Sequence, residues 1–207
     1  YPFLKDFEET MPPLKKEKPE FVVGLDFGGT KLLAGVLSPT GQILAREKMR
    51  THADREPTEV VQRIITCINR AIEASRVNRN QIAAVGIGAP GPLNPDTGVL
   101  ESPPNLKGWR NVPLKTILEK HLGLRVNVEN DVNAGTYGEF RRGAGIGARN
   151  LVGIFIGTGI GGGLILNGQL YHGFNQTAGE VGHLTLQPKD GPLCGCGNSG
   201  CYEALAG

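Results

Sequence analysis

At 207 residues with 39% hydrophobic content, the chain can bury a substantial core, either as one large domain or as two small lobes. Its 22 Lys and Arg face 20 Asp and Glu, and the resulting charge of +2 is interspersed, which excludes the electrostatic footprint of a nucleic-acid partner. No apolar run approaches the roughly 20 residues of a membrane span, and the N-terminal stretch is charged where a secretory peptide is apolar, so a cytoplasmic protein without membrane contact is expected.

Residues 1–20 are rich in Lys, Glu and Pro without periodicity, which predicts a flexible extension. A meander of three strands follows at 21–27, 31–38 and 42–49. Pro57 then opens a helix on which Val60, Val61, Ile64, Ile65, Ile68 and Ile72 recur at helical spacing. Cys67 adjoins that stripe and reads as a small buried hydrophobe. A strand at 82–90 runs into a loop rich in Pro, Gly and Asn that extends to about Val112, and a loop of that length is usually functional. The segment 113–123 predicts a helix stopped by Gly123, and 126–130 a strand. Arg141, Arg142 and Arg149 read as a solvated cluster. A second meander begins at 151, which places a lobe boundary near 124: one lobe at 21–123 and the start of another at 124–207. The alternation of strands and helices implies an α/β fold of two related lobes.

The two meanders share one pattern. Val22–Leu37 and Leu151–Leu166 each place β-forming residues on both sides of a glycine turn, and each is followed by a turn dipeptide, Thr40-Gly41 or Asn167-Gly168. Glycine lets backbone N–H groups approach an anion closely, so two such hairpins facing each other would clamp a phosphate. In the first turn, Asp26, Gly28, Gly29, Thr30 and Lys31 combine a carboxylate, bare backbone, a hydroxyl and an ammonium, a set suited to phosphate and to Mg²⁺ held through water. A tight hairpin with a capping Asp is the competing reading. In the second turn, Gly157, Thr158, Gly159, Gly161, Gly162 and Gly163 include five glycines, which weaken a strand unless bare backbone is needed there. A strand follows the turn and no Walker lysine is present, so neither a Walker nor a Rossmann site fits.

His183, Cys194, Cys196 and Cys201 supply one imidazole and three thiolates, a closed tetrahedral set for a structural zinc. Metal binding would then contribute local folding energy on the order of 10 kcal/mol. Unligated reduced cysteines beside a chance histidine are the alternative. Asp131, in Glu129-Asn130-Asp131, either caps the helix that begins at Val132 or acts as a general base on an alcohol.

These motifs resemble the ROK family (repressors, open reading frames, kinases), and within it the bacterial ATP-dependent glucokinases. The resemblance covers about 21–207 and rests on DFGGTK, APGPLNPDTG, PNLKGW, ENDVNA, GTGIGGGLILNGQLYHGFNQTAGEVGH and CGCGNSGCYEA, in register. It implies the actin-like (ribonuclease H-like) two-lobe fold, with the second lobe incomplete here because family members continue beyond the zinc motif. It also implies MgATP as donor, a hexose (most closely glucose) as acceptor at its 6-hydroxyl, Asp131 as catalytic base and a structural zinc. Asn105, Asn130, Asp131, Glu180, His183 and Glu203 would contact the sugar. His183 would then share its two ring nitrogens between zinc and sugar, and Trp109 would pack under the sugar loop. A homodimer or homotetramer is implied. Kinases for N-acetylmannosamine, fructose or allose share these residues. Sugar-responsive repressors of the family need an N-terminal helix-turn-helix, for which about 20 residues are too few. By itself the segment is expected to hold sugar and phosphate without completing a nucleotide site.

Overall fold

In this computed structural model, residues 20–157 and 159–207 are described. Residues 1–19 of the expected extension, and Thr158, lie outside them. Strands β1 (Phe21–Phe27), β2 (Lys31–Leu37) and β3 (Ile43–Arg50) form the first meander. On β1, Val23, Leu25 and Phe27 are buried at alternate positions, and on β2 Leu32, Ala34 and Val36 follow suit. This period of two turns one face of the sheet toward the helix α1 (Pro57–Ser75), whose Val60, Ile64 and Ile68 are fully buried. Each such aliphatic side chain contributes about 1.5–3 kcal/mol by leaving water. Pro57 occupies the first turn, where its missing N–H is harmless, and Arg76 ends the helix in the left-handed region. Cys67 is fully buried among these residues, with its thiol 3.6 Å from the Glu47 carbonyl.

Strand β4 (Ile82–Ala89) pairs parallel with β1, so α1 serves as the crossover between them. The loop expected to extend to about Val112 carries three two-residue strands, β5 (Leu93–Asn94), β6 (Val99–Leu100) and β7 (Val112–Pro113), paired into a small sheet. Helix α2 (Leu114–Leu122) ends at Gly123, which adopts φ 64°. Strand β8 (Arg125–Asn130) then pairs parallel with β4, giving the sheet order β3-β2-β1-β4-β8. Ladder hydrogen bonds hold β8 in the first sheet, and the chain leaves that sheet only after Asn130, six residues past the boundary expected near 124.

Helix α3 (Asp131–Arg142) joins the two sheets. Strands β9 (Leu151–Ile156), β10 (Ile160–Leu166) and β11 (Gln169–Leu170) form the second, in the order β11-β10-β9. A 3-10 turn at Val181–His183 and a short helix α4 (Tyr202–Ala206) flank the cysteine segment. Among the described residues no helix is long and apolar enough to cross a membrane.

Candidate functional site

The first glycine turn is held from beneath. Thr51, fully buried, donates its hydroxyl to the Gly28 carbonyl at 2.6 Å and its N–H to the Thr30 carbonyl at 3.0 Å. Gly28 N–H closes the turn on the Lys31 carbonyl at 3.0 Å. Lys31 Nζ lies 3.6 Å from Asp26 with both groups half exposed, a pairing too solvated to contribute much stability. Asn105 packs on Gly29, and Trp109, 2% exposed, tilts against Phe27 with ring centroids 5.4 Å apart as a packing residue.

Of the two roles the sequence offered to Asp131, the structure assigns the cap to Asn130. Asn130 is the helix cap: it keeps an extended ψ of 140°, and its Oδ1 accepts the N–H groups of Val132 and Asn133 at 3.0 and 3.1 Å. The capping role expected of Asp131 thus belongs to the residue before it, because Asp131 is already the first helical residue. Asp131 still accepts from Val132 N–H at 2.9 Å, and it faces a cavity of about 670 Å³ that Asp26 also lines. Although the residue is exposed at the mouth of that cavity, burial of its carboxyl and the negative charge of Asp26 raise its pKa, against the lowering effect of the Val132 N–H.

A second cavity, of about 170 Å³, lies beside the first and shares Glu129 with it. Asn130 and Glu180 line it, together with Asn133 and His172. Its walls therefore carry amides, carboxylates and an imidazole, a mixture of donors and acceptors that matches a polyol. Of the six residues assigned to the sugar, only Asn130 and Glu180 line this cavity. Asp131 faces its neighbour, Asn105 sits on Gly29, His183 turns toward the cysteines, and Glu203 accepts the Ile160 N–H at 2.7 Å.

The second glycine turn shows two different reasons for its glycines. Gly161 and Gly162, expected to bare backbone for phosphate, lie inside β10, and on each the place a Cβ would take is filled by protein. A side chain on Gly161 would meet Val132, and one on Gly162 would meet the Gly179 carbonyl and Val181. Gly153 and Gly163, directly paired across β9 and β10, are covered by the fully buried Thr136. Val132 and Thr136, four apart on α3, thus seat the helix on the hairpin. Gly157 alone of the expected phosphate glycines in this turn faces open space, while Gly159 adjoins the Glu203 carboxylate. The first turn of α3 stands between the two hairpins, since Asp131 shares a cavity wall with Asp26 and Val132 packs on Gly161.

The four candidate zinc ligands converge, with ligand atoms all within 4.8 Å of one another. A tetrahedral zinc with Zn–S bonds of about 2.3 Å separates its sulfurs by about 3.8 Å. Cys196 and Cys201 sulfurs stand 3.7 Å apart, and Cys194 Sγ stands 3.6 Å from His183 Nδ1. All the cysteines are free thiols. Burial and the adjoining Cys196 and Cys194 push the Cys201 thiol up to about 12, since crowded sulfurs disfavour one another's charge. The donor set and its spacing fit zinc.

Sequence reasoning missed Thr51, the packing role of the β10 glycines and the pairing of His172 with Glu129 at 2.8 Å. Thr51 stands in the polar run Arg50-Thr51-His52, which gives no periodic signal. A covered glycine and a bare one are spelled alike.

Two units, each opened by a strand, glycine turn and strand, and joined through a helix whose first residue lines the larger cavity, give the mixed α/β, actin-like fold. Within that fold class the ROK family model matches residues 22–207, and the chain belongs to the ROK family. It is 44% identical over 184 residues to the glucokinase of Streptomyces coelicolor, covering 89% of this chain and 55% of that protein. A ROK family glucokinase from Streptomyces griseus, solved in complex with glucose and AMPPNP, superposes with a TM-score of 0.77 at 40% identity, covering 88% of this chain and 56% of that one. The xylose repressor of Bacillus subtilis is 32% identical over 190 residues, covering 92% of this chain and 48% of the repressor. The chain thus spans about half the length of the curated relatives it matches.

Proposed function

We propose that the protein containing this span is an ATP-dependent hexose kinase that transfers the γ-phosphoryl group to the 6-hydroxyl of glucose. The observation that carries this reading is the placement of Asp131. It faces the cavity lined by Asp26, beside a smaller cavity whose walls suit a polyol. A sugar hydroxyl is a weak nucleophile; a carboxylate within hydrogen-bond reach orients it and takes its proton during in-line attack. Asn130 keeps its Nδ2 beside Gly91 at the cavity wall while its Oδ1 is committed to the helix cap, so it presents a donor to the sugar. Glu180, which also lines this cavity, supplies an acceptor.

The hairpin tips, Gly28–Lys31 and Gly157–Gly159, would receive the ATP phosphates, and Asp26 would hold Mg²⁺ through water. Bound Mg²⁺ offsets the charge of the phosphates. His183, Cys194, Cys196 and Cys201 would hold a zinc that orders the segment following Glu180, with no coordination position left for a reactive water. Reduced thiolate ligands and the use of ATP support a cytoplasmic location, and a homodimer or homotetramer is proposed from the family resemblance.

The test is ADP release by the full-length protein across a panel of hexoses. Turnover highest with glucose is expected. A second reading, a sugar-responsive repressor, is favoured by the 32% identity to a xylose repressor. Sugar binding without ADP release, together with sugar-dependent release from DNA, would replace the kinase by that reading.

A further inference from the structure

We infer that His172 and Glu129 are positioning residues of the sugar site, a bridge that holds the loop leading to Glu180 against the strand end that carries Asn130 and Asp131. This inference rests on the hexose-kinase reading. His172 Nε2 stands 2.8 Å from Glu129 Oε2, and each side chain is only about a quarter exposed, at 28% and 24%. An ionised carboxylate can only accept, so Nε2 carries the proton and donates it to Oε2. The other carboxylate oxygen is occupied as well: Oε1 accepts the Asn130 N–H at 2.9 Å and the Asn133 side-chain amide at 3.2 Å. Glu129 therefore grips the main chain of the residue whose side chain caps α3, one residue before the proposed base.

His172 is fixed at its other end too. Its carbonyl accepts the Ala178 N–H at 2.9 Å, closing the loop 172–178, and two residues later Glu180 caps the 3-10 turn that ends at His183. Glu129, Asn130, His172 and Glu180 all line the same cavity of about 170 Å³. One hydrogen bond thus connects its two walls, from the first sheet on one side to the loop after the second sheet on the other. A partly buried hydrogen bond to a charged group is strong, and a sugar gripped from both walls loses affinity when either shifts by about 1 Å. Removing the imidazole would leave Glu129 Oε2 without its partner and free the loop to carry Glu180 away.

The test uses the full-length protein and three variants: His172→Ala, His172→Gln, which keeps an N–H donor, and Glu129→Gln. For His172→Ala the glucose KM and the calorimetric glucose Kd are expected to rise about 10- to 100-fold, the range of a lost hydrogen bond to a charged group. The ATP KM is expected to stay within about twofold, since the hairpin tips are untouched. His172→Gln is expected to restore most of the glucose affinity, and Glu129→Gln to weaken it as His172→Ala does. A glucose Kd for His172→Ala within about twofold of wild type would overturn the inference. So would an equal rise in both KM values, the mark of general loosening. Should His172→Ala not fold, His172→Gln decides: a folded Gln variant with wild-type stability and a lost glucose affinity counts against a bridge made by the N–H. A wild-type protein that binds no hexose at all would instead remove the kinase reading, and the sugar role of this bridge with it.

Discussion

Asp131 is under two opposed demands. As the proposed base it must be ionised at working pH, yet the fold raises its pKa by burying the carboxyl and placing Asp26 nearby. A carboxyl whose folded pKa is raised contributes stability that is fully present below its unfolded pKa of about 3.9 and is lost as pH rises through the folded value. At neutral pH the ionised group is therefore a destabilising presence. Asp131→Asn removes it, so the thermal midpoint of the variant should rise while kcat falls about 10²–10⁴-fold, the usual worth of a general base. In the wild type, kcat/KM should fall on acidification along a limb above the ordinary aspartate range. A variant less stable than wild type, with undiminished turnover, would show that Asp131 is neither strained nor catalytic. Glu129-Asn130-Asp131 marks a carboxylate between a strand and a helix, and that pattern alone offers both a cap and a base. Which residue caps was not legible: Asn and Asp cap helices equally well, and only the backbone angle at Asn130 assigns the cap.

At the scale of elements, one run of glycines in the second hairpin holds both packed and open positions. Gly163 lies under Thr136, where a methyl group would meet the hydroxyl and Cβ of that side chain, whereas Gly157 faces open space. Gly163→Ala should cost about 1–3 kcal/mol by overpacking and lower the midpoint of denaturant unfolding. Gly157→Ala should leave stability within about 0.5 kcal/mol and raise the ATP KM by crowding the phosphates. Equal stability losses in both, or an unmoved ATP KM in Gly157→Ala, would contradict this division. The hairpin itself was legible from apolar strands around small residues. The reason for each glycine was not, because it depends on α3, a helix from elsewhere in the chain. The cysteine segment is the other element with a separable cause. Chelation of the metal, or Cys196→Ser, should remove about one zinc per chain and lower the thermal midpoint, because thiolate ligands hold a segment that has little core of its own. Metal analysis of the purified protein finding no zinc, with an unchanged midpoint after chelator, would count against the site.

The whole molecule repeats one unit, and the repetition was visible in the chain as two matching stretches, 22–37 and 151–166, which become β1–β2 and β9–β10. The sequence misled where sheet membership depends on partners far along the chain, as with β8, which closes the first sheet rather than opening the second lobe. The two units also differ in a way that no local pattern signals. β1 is flanked by β2 on one side and by β4 on the other, whereas β9, its counterpart, pairs with β10 alone among the described residues. Val152, Ile154 and Ile156 on β9 are 60%, 55% and 72% exposed, although such residues favour covered strands. An edge strand keeps half its N–H groups free of the ladder, and those groups exchange hydrogen with solvent without any unfolding. In this 207-residue chain, alternate amides of β9 should therefore exchange close to the unprotected rate, while the amides of β1 exchange only through larger openings. Hydrogen exchange read residue by residue by NMR makes the comparison within one sample. Slow exchange at every β9 amide would mean that another strand covers this edge in solution, and the second sheet would then extend past β9 as the first extends past β1.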